Sequence, residues 1–488
     1  MRRARKTHPP IQNLEIIDAA SDGRGVGRSE GQVVFVPYTA PGDVVNVRIV
    51  GVKKKMLEGK VTELVTPSPN RTTPVCQHFG VCGGCKWQHM EYSTQKAAKE
   101  KQVNDVLTRI SGLSLPTSNP LLGPDHVWNY RNKMVYTFAP GRWLTDDMLK
   151  DIKAGFSGEE DQSDAVQQAI HAAKSAPSVG FHVPGRFDSV VHIEKCHLQD
   201  AFADEIRLFL HHFAQENELT YHDIRAHQGF LRNVMIRNTR LGEWMVMVVF
   251  GENQPENIEK VMKALEAKFP SIHSLLYIIN EKMNDSYDDQ PVHVHAGKDY
   301  IEETLGDFRF RISPKSFFQT NTRQAEVLYE VVKRMAGLTG NEVIYDLYGG
   351  TGSIGIFLSK EAKRFVGVEY VQDAVDDAWK NAALNGIEHG SFFAGDMKDV
   401  LNDEFLASHG KPDVLITDPP RTGMHVDVVN KILEIEAEKV VYVSCNPATQ
   451  ARDLELLAQK YAVVELQPVD LFPHTHHVEN VALLILKK

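Results

Sequence analysis

The chain is 488 residues long, 42% hydrophobic and 24% charged, with a formal net charge of −10. This composition leaves room for roughly two to four globular domains and excludes a collagen-like, low-complexity or largely disordered chain. No apolar run is long enough to span a membrane, and the basic N-terminus MRRARKTHPP has no apolar region behind it, so neither a membrane anchor nor a secretory leader is expected.

Five unevenly spaced cysteines argue against a disulfide scaffold and for a reducing compartment, which makes the cytoplasm the expected location. Residues 1–65 carry eleven Lys/Arg against seven Asp/Glu, with four basic residues in the first six positions and Lys53, Lys54 and Lys55 in a row. Such clusters neutralise phosphates, although a solvated surface with a basic tail accounts for the charge alone slightly better. In the same stretch GQVVFVPY, DVVNVRIV and KVTELV read as strands separated by the turn signals SDGRG, APGD and LEGK. Val45, Val47 and Ile49 alternate with Asn46 and Arg48, the period of a half-buried strand. Short strands over about sixty residues predict a small barrel of the OB type.

TPSPNRTTP is a linker, and Cys76, Cys82 and Cys85 follow it in CQHFGVCGGC. Clustered cysteines suggest a metal or cluster site. Cys82 and Cys85 could form half of a zinc site with His78 or His89, whereas four thiolates suit a [4Fe-4S] cluster, and the spacing alone leaves the two near even. Residues 93–111 predict a helix capped by Ser93, with Val103, Val106, Leu107 and Ile110 as its apolar stripe. From about 127 to 315 strands such as NKMVYTF, GEWMVMVVF and SLLYIIN mix with a helix near 256–268. Residues 141–178 read as a polar, acidic insertion of weak helical periodicity, expected to be a mobile excursion.

From residue 340 strands and helices alternate: VIYDLYG, RFVGVEY, SFFAGD, DVLITD, KVVYVS and finally VENVALLIL. This is the pattern of a doubly wound α/β sheet with ligands at the carboxyl ends of its strands. In DLYGGTGSIG, Gly350, Gly352 and Gly355 match G-x-G-x-x-G, and Glu369 ends the next strand about twenty residues on, where an acid binds ribose hydroxyls. Asp396, in AGDM, would reach the adenine end. NAD and S-adenosylmethionine both fit these features. The fourth strand favours a methyltransferase over a dehydrogenase: Asp418-Pro419-Pro420-Arg421 is a kinked loop at a strand end, related to one in adenine methyltransferases, with Arg421 in place of the stacking aromatic.

The next strand delivers Cys445 in VSCNP. Free cysteines are mostly inert core residues, but this one sits in a polar string where a strand gives way to a loop, beside DPPR. A thiolate there needs a lowered pKa or a neighbouring base. Glu479, just before the last strand in PHTHHVENV, is a candidate base; alone it reads as a surface glutamate. The adjacent His474, His476 and His477 lack the further ligands of a zinc site.

At this point the chain resembles the RNA (uracil-5-)-methyltransferase family, in particular its 23S ribosomal members with an N-terminal TRAM domain and a [4Fe-4S] cluster. The matching strings are CGGCKWQHMEYSTQKAAK, SFFQTN, DLYGGTG, TDPPRTG, VSCNPAT and HTHHVE, and they cover nearly the whole chain. The insertion at 141–178 departs from the compact family pattern. The resemblance implies a TRAM barrel over 1–68, an α+β central iron-sulfur and RNA-binding domain over 71–95 and 127–315, and a Rossmann-like class I methyltransferase domain over 96–126 and 316–488. It implies Cys445 as nucleophile and Glu479 as general base. Gln319, Tyr348, Glu369 and Asp418 would bind S-adenosylmethionine, with Ser353 and Asp396 as lesser candidates. Cys76, Cys82, Cys85 and Cys196 would ligate the cluster. The expected substrate is a uridine of 23S rRNA, with the T-loop uridine of tRNA as the alternative and a non-catalytic RNA-binding iron-sulfur protein as a remote one; a monomer is expected.

Overall fold

The computed structural model describes residues 8–54, 56–156 and 163–488. The basic first six positions, Lys55 and part of the 141–178 insertion lie outside the described residues. The chain divides into two compact units, one of residues 1–75, 85–127 and 323–488, the other of residues 76–84 and 128–322.

The first unit begins with a closed five-stranded barrel built from Ile11–Ala19, Gly25–Ser29, Gln32–Val36, Val44–Lys53 and Met56–Thr66. Its interior is filled by Leu14, Ile16, Val34, Val36, Val45, Val47 and Leu57, so the alternation visible in DVVNVRIV is the inward face of a barrel strand. Gly25 lies so close to Thr39 and Ile16, and Gly27 so close to Leu14, that a side chain at either would collide with the packed interior.

The same unit holds a seven-stranded sheet: β1 (Val343–Leu347), β2 (Arg364–Glu369), β3 (Gly390–Ala394), β4 (Val414–Thr417), β5 (Lys439–Ser444), β6 (Tyr461–Val469) and β7 (Glu479–Leu486). The order is β3-β2-β1-β4-β5-β7-β6. Strands β1 to β5 are parallel, and their almost continuous burial reflects helices covering both faces. Strand β7 runs antiparallel to both β5 and β6. Strand β6, in YAVVELQPV, adds a seventh strand to the six read from sequence. The reversal of β7 matters for the site, because it brings the start of that strand to the rim where the parallel strands end.

Helix α1 (Tyr92–Ser111) packs on this unit, but Ser93 does not cap it; the chain enters at Glu91 without a side-chain cap. Its buried face is Gln95, Lys99, Val103, Leu107 and Ser111, a stripe at i, i+4 spacing that is more than half polar, while Ile110 is exposed.

The second unit is a seven-stranded mixed sheet in the order His293–Gly297, Ile272–Ile279, Trp244–Phe250, Leu231–Asn238, Lys133–Ala139, Ser178–His182 and Val190–His192. Helices α2 (Ala201–Glu216) and α3 (Pro255–Lys268) accompany it. The insertion is more regular than its sequence suggests. Asp146–Ala154 is helical, with Thr145 Oγ1 accepting from the Met148 amide at 3.1 Å and two aspartates in the first turn, and Ser163–Lys174 is a second helix.

Candidate active site

The glycine-rich turn after β1 is shaped by its backbone. Tyr348 has φ of 62°, and Gly350 and Gly352 have φ of 52° and 77°, the left-handed region that glycine enters at little cost. At Gly352 a Cβ would stand 2.8 Å from the Phe392 ring, so the turn lies flat against the sheet before a helix starts at Ser353. Glu369, at the end of β2, accepts from the Gly350 amide at 3.0 Å and from the Val371 amide at 3.0 Å. It therefore fixes the glycine turn while occupying the position expected of a ribose-binding acid. Ser353 shares a 2.8 Å hydrogen bond with the Tyr329 hydroxyl.

Asp346, within β1, was passed over in the sequence. It is buried, one carboxylate oxygen accepts from the Gly355 amide at 3.0 Å, and the other has no partner. Burial pushes its pKa up to about 7, helped by the nearby charges of Asp418 and Glu369. The signal available was an acid two residues before the tyrosine of DLYGG. Asp396 caps the short helix Met397–Val400 and pairs with Lys398 at 3.0 Å, which with the Lys398 amide holds its pKa low. Gln319 belongs to the other compact unit, where it is buried and its carbonyl accepts from Asn132 at 3.0 Å.

Cys445 and Glu479 meet through strand register. The last pairing of β5 with β7 is Ser444 with Asn480, and the next residues, Cys445 just past β5 and Glu479 at the start of β7, lie near enough for the Glu479 carboxyl to raise the Cys445 thiol. On the other side β5 pairs with β4, Tyr442 beside Thr417, and Asp418 follows at once. The DPPR loop is tied to the cysteine loop: the Arg421 carbonyl accepts from Asn446 Nδ2 at 2.9 Å, and Asp453 accepts from the Met424 amide at 2.9 Å and from the Tyr442 hydroxyl at 2.6 Å. On the β7 side Gln450 joins the two strands, donating to the Tyr442 and Asn480 carbonyls.

The electrostatics of this rim are coherent. Glu479 is 4% exposed, and burial, reinforced by Asp418, pushes its pKa up to about 8. Burial lifts Asp418 to about 7. The Cys445 thiol is pushed up to about 11 by burial, then by the carboxyls of Glu479 and Asp418, while Arg421 opposes the shift. The rim thus gathers acids beside one thiol, an arrangement that favours a cationic ligand, and the sulfonium and ammonium of S-adenosylmethionine are cationic.

The loop carrying Glu479 is held from behind. Lys99 donates to Asp470 at 2.6 Å with both side chains fully buried, and to the Phe472 carbonyl at 3.0 Å. Gln95 accepts from the His474 amide at 2.8 Å. The polar half of the buried face of α1 is therefore the seat of the PHTHHVE loop. Burial drives His474 and His476 down to about 4, so both rings are neutral.

Comparison with known proteins agrees with this geometry. Residues 238–488 match the model of the tRNA (uracil-5-)-methyltransferase family, and residues 7–62 match the TRAM domain. The chain belongs to this family. It is an RNA methyltransferase that takes its methyl group from S-adenosylmethionine. It is 46% identical over 97% of its length to an uncharacterized RNA methyltransferase of Porphyromonas gingivalis, covering 99% of that protein, and 48% identical over 96% to one of Bacteroides thetaiotaomicron, covering 100%. Among solved structures it resembles Pyrococcus abyssi tRNA (uracil-54, C5)-methyltransferase in complex with S-adenosyl-L-homocysteine. The TM-score is 0.72 at 27% identity, covering 97% of this chain and 100% of that one.

The remaining cysteines of this methyltransferase are unbridged. Cys76, Cys82 and Cys196 lie in the second unit, and Cys85 opens a segment of the first. Burial, then the charges of Cys196 and Cys76, pushes the Cys82 thiol up to about 12, and the Gly84 amide donates to its sulfur at 3.4 Å. Burial also raises Cys76 and Cys196. Half-buried thiols close enough to raise one another are a donor set that a cationic iron-sulfur cluster would suit, although among the described residues no three His, Cys, Asp or Glu side chains already converge on a metal position. No helix among the described residues is long and apolar enough to cross a membrane.

Proposed function

We propose that the protein methylates C5 of a uridine in 23S rRNA through a covalent adduct between Cys445 and C6. The observation that supports the reading is that the β5–β7 ladder ends at Ser444 and Asn480, next to Cys445 and Glu479, at the rim where Asp418 follows β4 and where both carboxyls act on the Cys445 thiol. C5 of uracil is a weak nucleophile. Attack by the Cys445 thiolate on C6 gives an enolate with carbanion character at C5, which takes the sulfonium methyl group in line. Glu479 then removes the C5 proton, and elimination across C5–C6 expels Cys445 as thiolate. Arg421 favours the thiolate, and the target base would leave its stack to reach the rim. Gln319, Tyr348, Glu369 and Asp418, with Ser353 and Asp396 as lesser candidates, would hold S-adenosylmethionine, which supplies the methyl group as a good electrophile. Cys76, Cys82, Cys85 and Cys196 would hold a [4Fe-4S] cluster in a structural or RNA-positioning role, since methyl transfer needs no electrons.

A second reading, a tRNA T-loop uridine, draws support from the solved P. abyssi relative, whose name specifies uracil 54 of tRNA. Mapping 5-methyluridine in rRNA and tRNA from cells with and without the gene separates the two. Loss of a 23S site that returns with the wild-type gene but not with Cys445→Ala supports the first; loss confined to tRNA establishes the second.

A further inference from the structure

A cavity of about 520 Å³ in the second unit takes no part in the chemistry above. It lies at the ends of the strands Lys133–Ala139 and Ser178–His182, next to the edge strand Val190–His192, and the insertion supplies one wall through Arg142, Trp143 and Lys174. The volume is that of a site for a molecule of nucleotide size.

Behind its lining lie buried nitrogens that make no hydrogen bond and are closed off from the cavity itself. His222 is 7% exposed, and neither of its ring nitrogens makes a hydrogen bond of normal geometry, although the Gly229 backbone lies near enough to act on it. Burial, then Arg232, keeps the ring neutral, with one nitrogen to donate and one to accept. Arg232 is 1% exposed and clamped by the carbonyls of Asn280 and Lys282 at 2.8 and 2.7 Å and by Asp285 at 2.9 Å, yet its Nε has no partner. Arg142 Nε and His182 Nδ1 are buried without partners as well. Two aromatic rings complete the lining: Trp143, under the Arg186 guanidinium at 4.8 Å, and Phe187, 63% exposed and under Arg225 at 5.4 Å.

The charge balance narrows the ligand. The lining holds Arg142, Lys174, Arg225 and Arg232 against Asp146, Asp188, Asp223 and Asp285. Arg225 pairs with Asp188 and Arg232 with Asp285. A pocket neutral overall is poorly suited to a phosphate as its main occupant. A flat, uncharged heterocycle matches the Trp143 and Phe187 rings and the balanced charge of the lining together. We propose that this cavity is a second base-binding site, taking one unstacked nucleobase of the RNA substrate other than the uridine that is methylated. The proposal rests on the reading of the chain as acting on RNA. It gives the insertion a purpose: with Trp143 and Arg142 as its wall, the insertion selects which RNA is bound.

The test is a binding cycle between the protein and substrate RNA in which single positions are made abasic. Phe187→Ala and Trp143→Ala are compared with the wild type; the exposed Phe187 ring is not needed for folding, and an unchanged melting temperature checks this. The expected result is that one abasic position, distinct from the target uridine, weakens wild-type binding roughly tenfold. Each variant should show that weakening with intact RNA and no further loss with that abasic RNA. Independent, additive penalties at every position would overturn the proposal, as would unaltered affinity in both variants. Uridine and adenosine monophosphates are the second arm: binding tighter than that of the RNA would assign the cavity to a free nucleotide and overturn it too. If wild-type protein binds no RNA, the failure lies with the functional reading instead.

Discussion

Two sets of cysteines in this molecule are shifted in the same direction for different reasons. Cys445 is held up by burial and by carboxyls, Glu479 from the neighbouring antiparallel strand and Asp418 from the parallel one, with Arg421 pulling the other way. Cys82 is held up by burial and by other thiols. A raised thiol pKa is therefore not by itself a sign of an inert cysteine. The neighbours decide: acids beside one thiol suit a cationic substrate and a proton acceptor, whereas thiols beside a thiol suit a metal centre.

The strongest way to break the comparison is to remove one member of each set. Cys445→Ala is expected to lower methyl transfer by roughly 10⁴-fold or more while leaving any visible iron-sulfur absorption intact. Cys82→Ser should do the reverse to the spectrum, bleaching anaerobically purified protein and lowering its iron content. A colourless wild-type protein carrying stoichiometric zinc would remove the cluster from the account.

Next in size is the support behind the rim. Lys99→Met leaves Asp470 buried without its partner, and breaking such a pair costs about 3–5 kcal/mol, readable as a lowered urea midpoint. An unchanged midpoint would mean that α1 does not seat the Glu479 loop.

The smaller effects concern pH. Alkylation of Cys445 by iodoacetamide, followed by peptide mapping, should rise with pH toward a midpoint near 11 in the ligand-free protein. Arg421→Ala should move that midpoint up and Asp418→Asn should move it down. Glu479 has a folded pKa near 8, above its ordinary value of 4.5, so the folded state binds the proton more tightly. Its charging therefore costs stability as pH rises between those two values, and nothing below them. Glu479→Gln should flatten that part of the melting-temperature profile.

The catalytic sheet was largely legible in the sequence because each strand end carries its own marker: DLYGG, the acid of β2, DPPR and SCNP. Period-two alternation likewise exposed the barrel. Features that depend on partners far along the chain were not legible. Gln95 and Lys99 look like solvent-facing residues of a polar helix, and only their partners at His474 and Asp470, more than 370 residues on, make them buried. Asp396 follows the end of β3 as a cofactor ligand would, but that it also caps the helix starting at Met397 was not visible in the sequence. The insertion's helices were obscured by a sequence rich in charge and alanine, in which the Thr145 cap was the clearest available sign.

The central claim is that Cys445 and Glu479 act in sequence on one uracil, and the most direct measurement is adduct trapping with Glu479→Gln. Incubated with substrate RNA and S-adenosylmethionine, this variant should accumulate a protein–RNA species that survives denaturation, carries the methyl group and maps to Cys445. Normal turnover by the variant, or a trapped species at any other residue, would contradict the account.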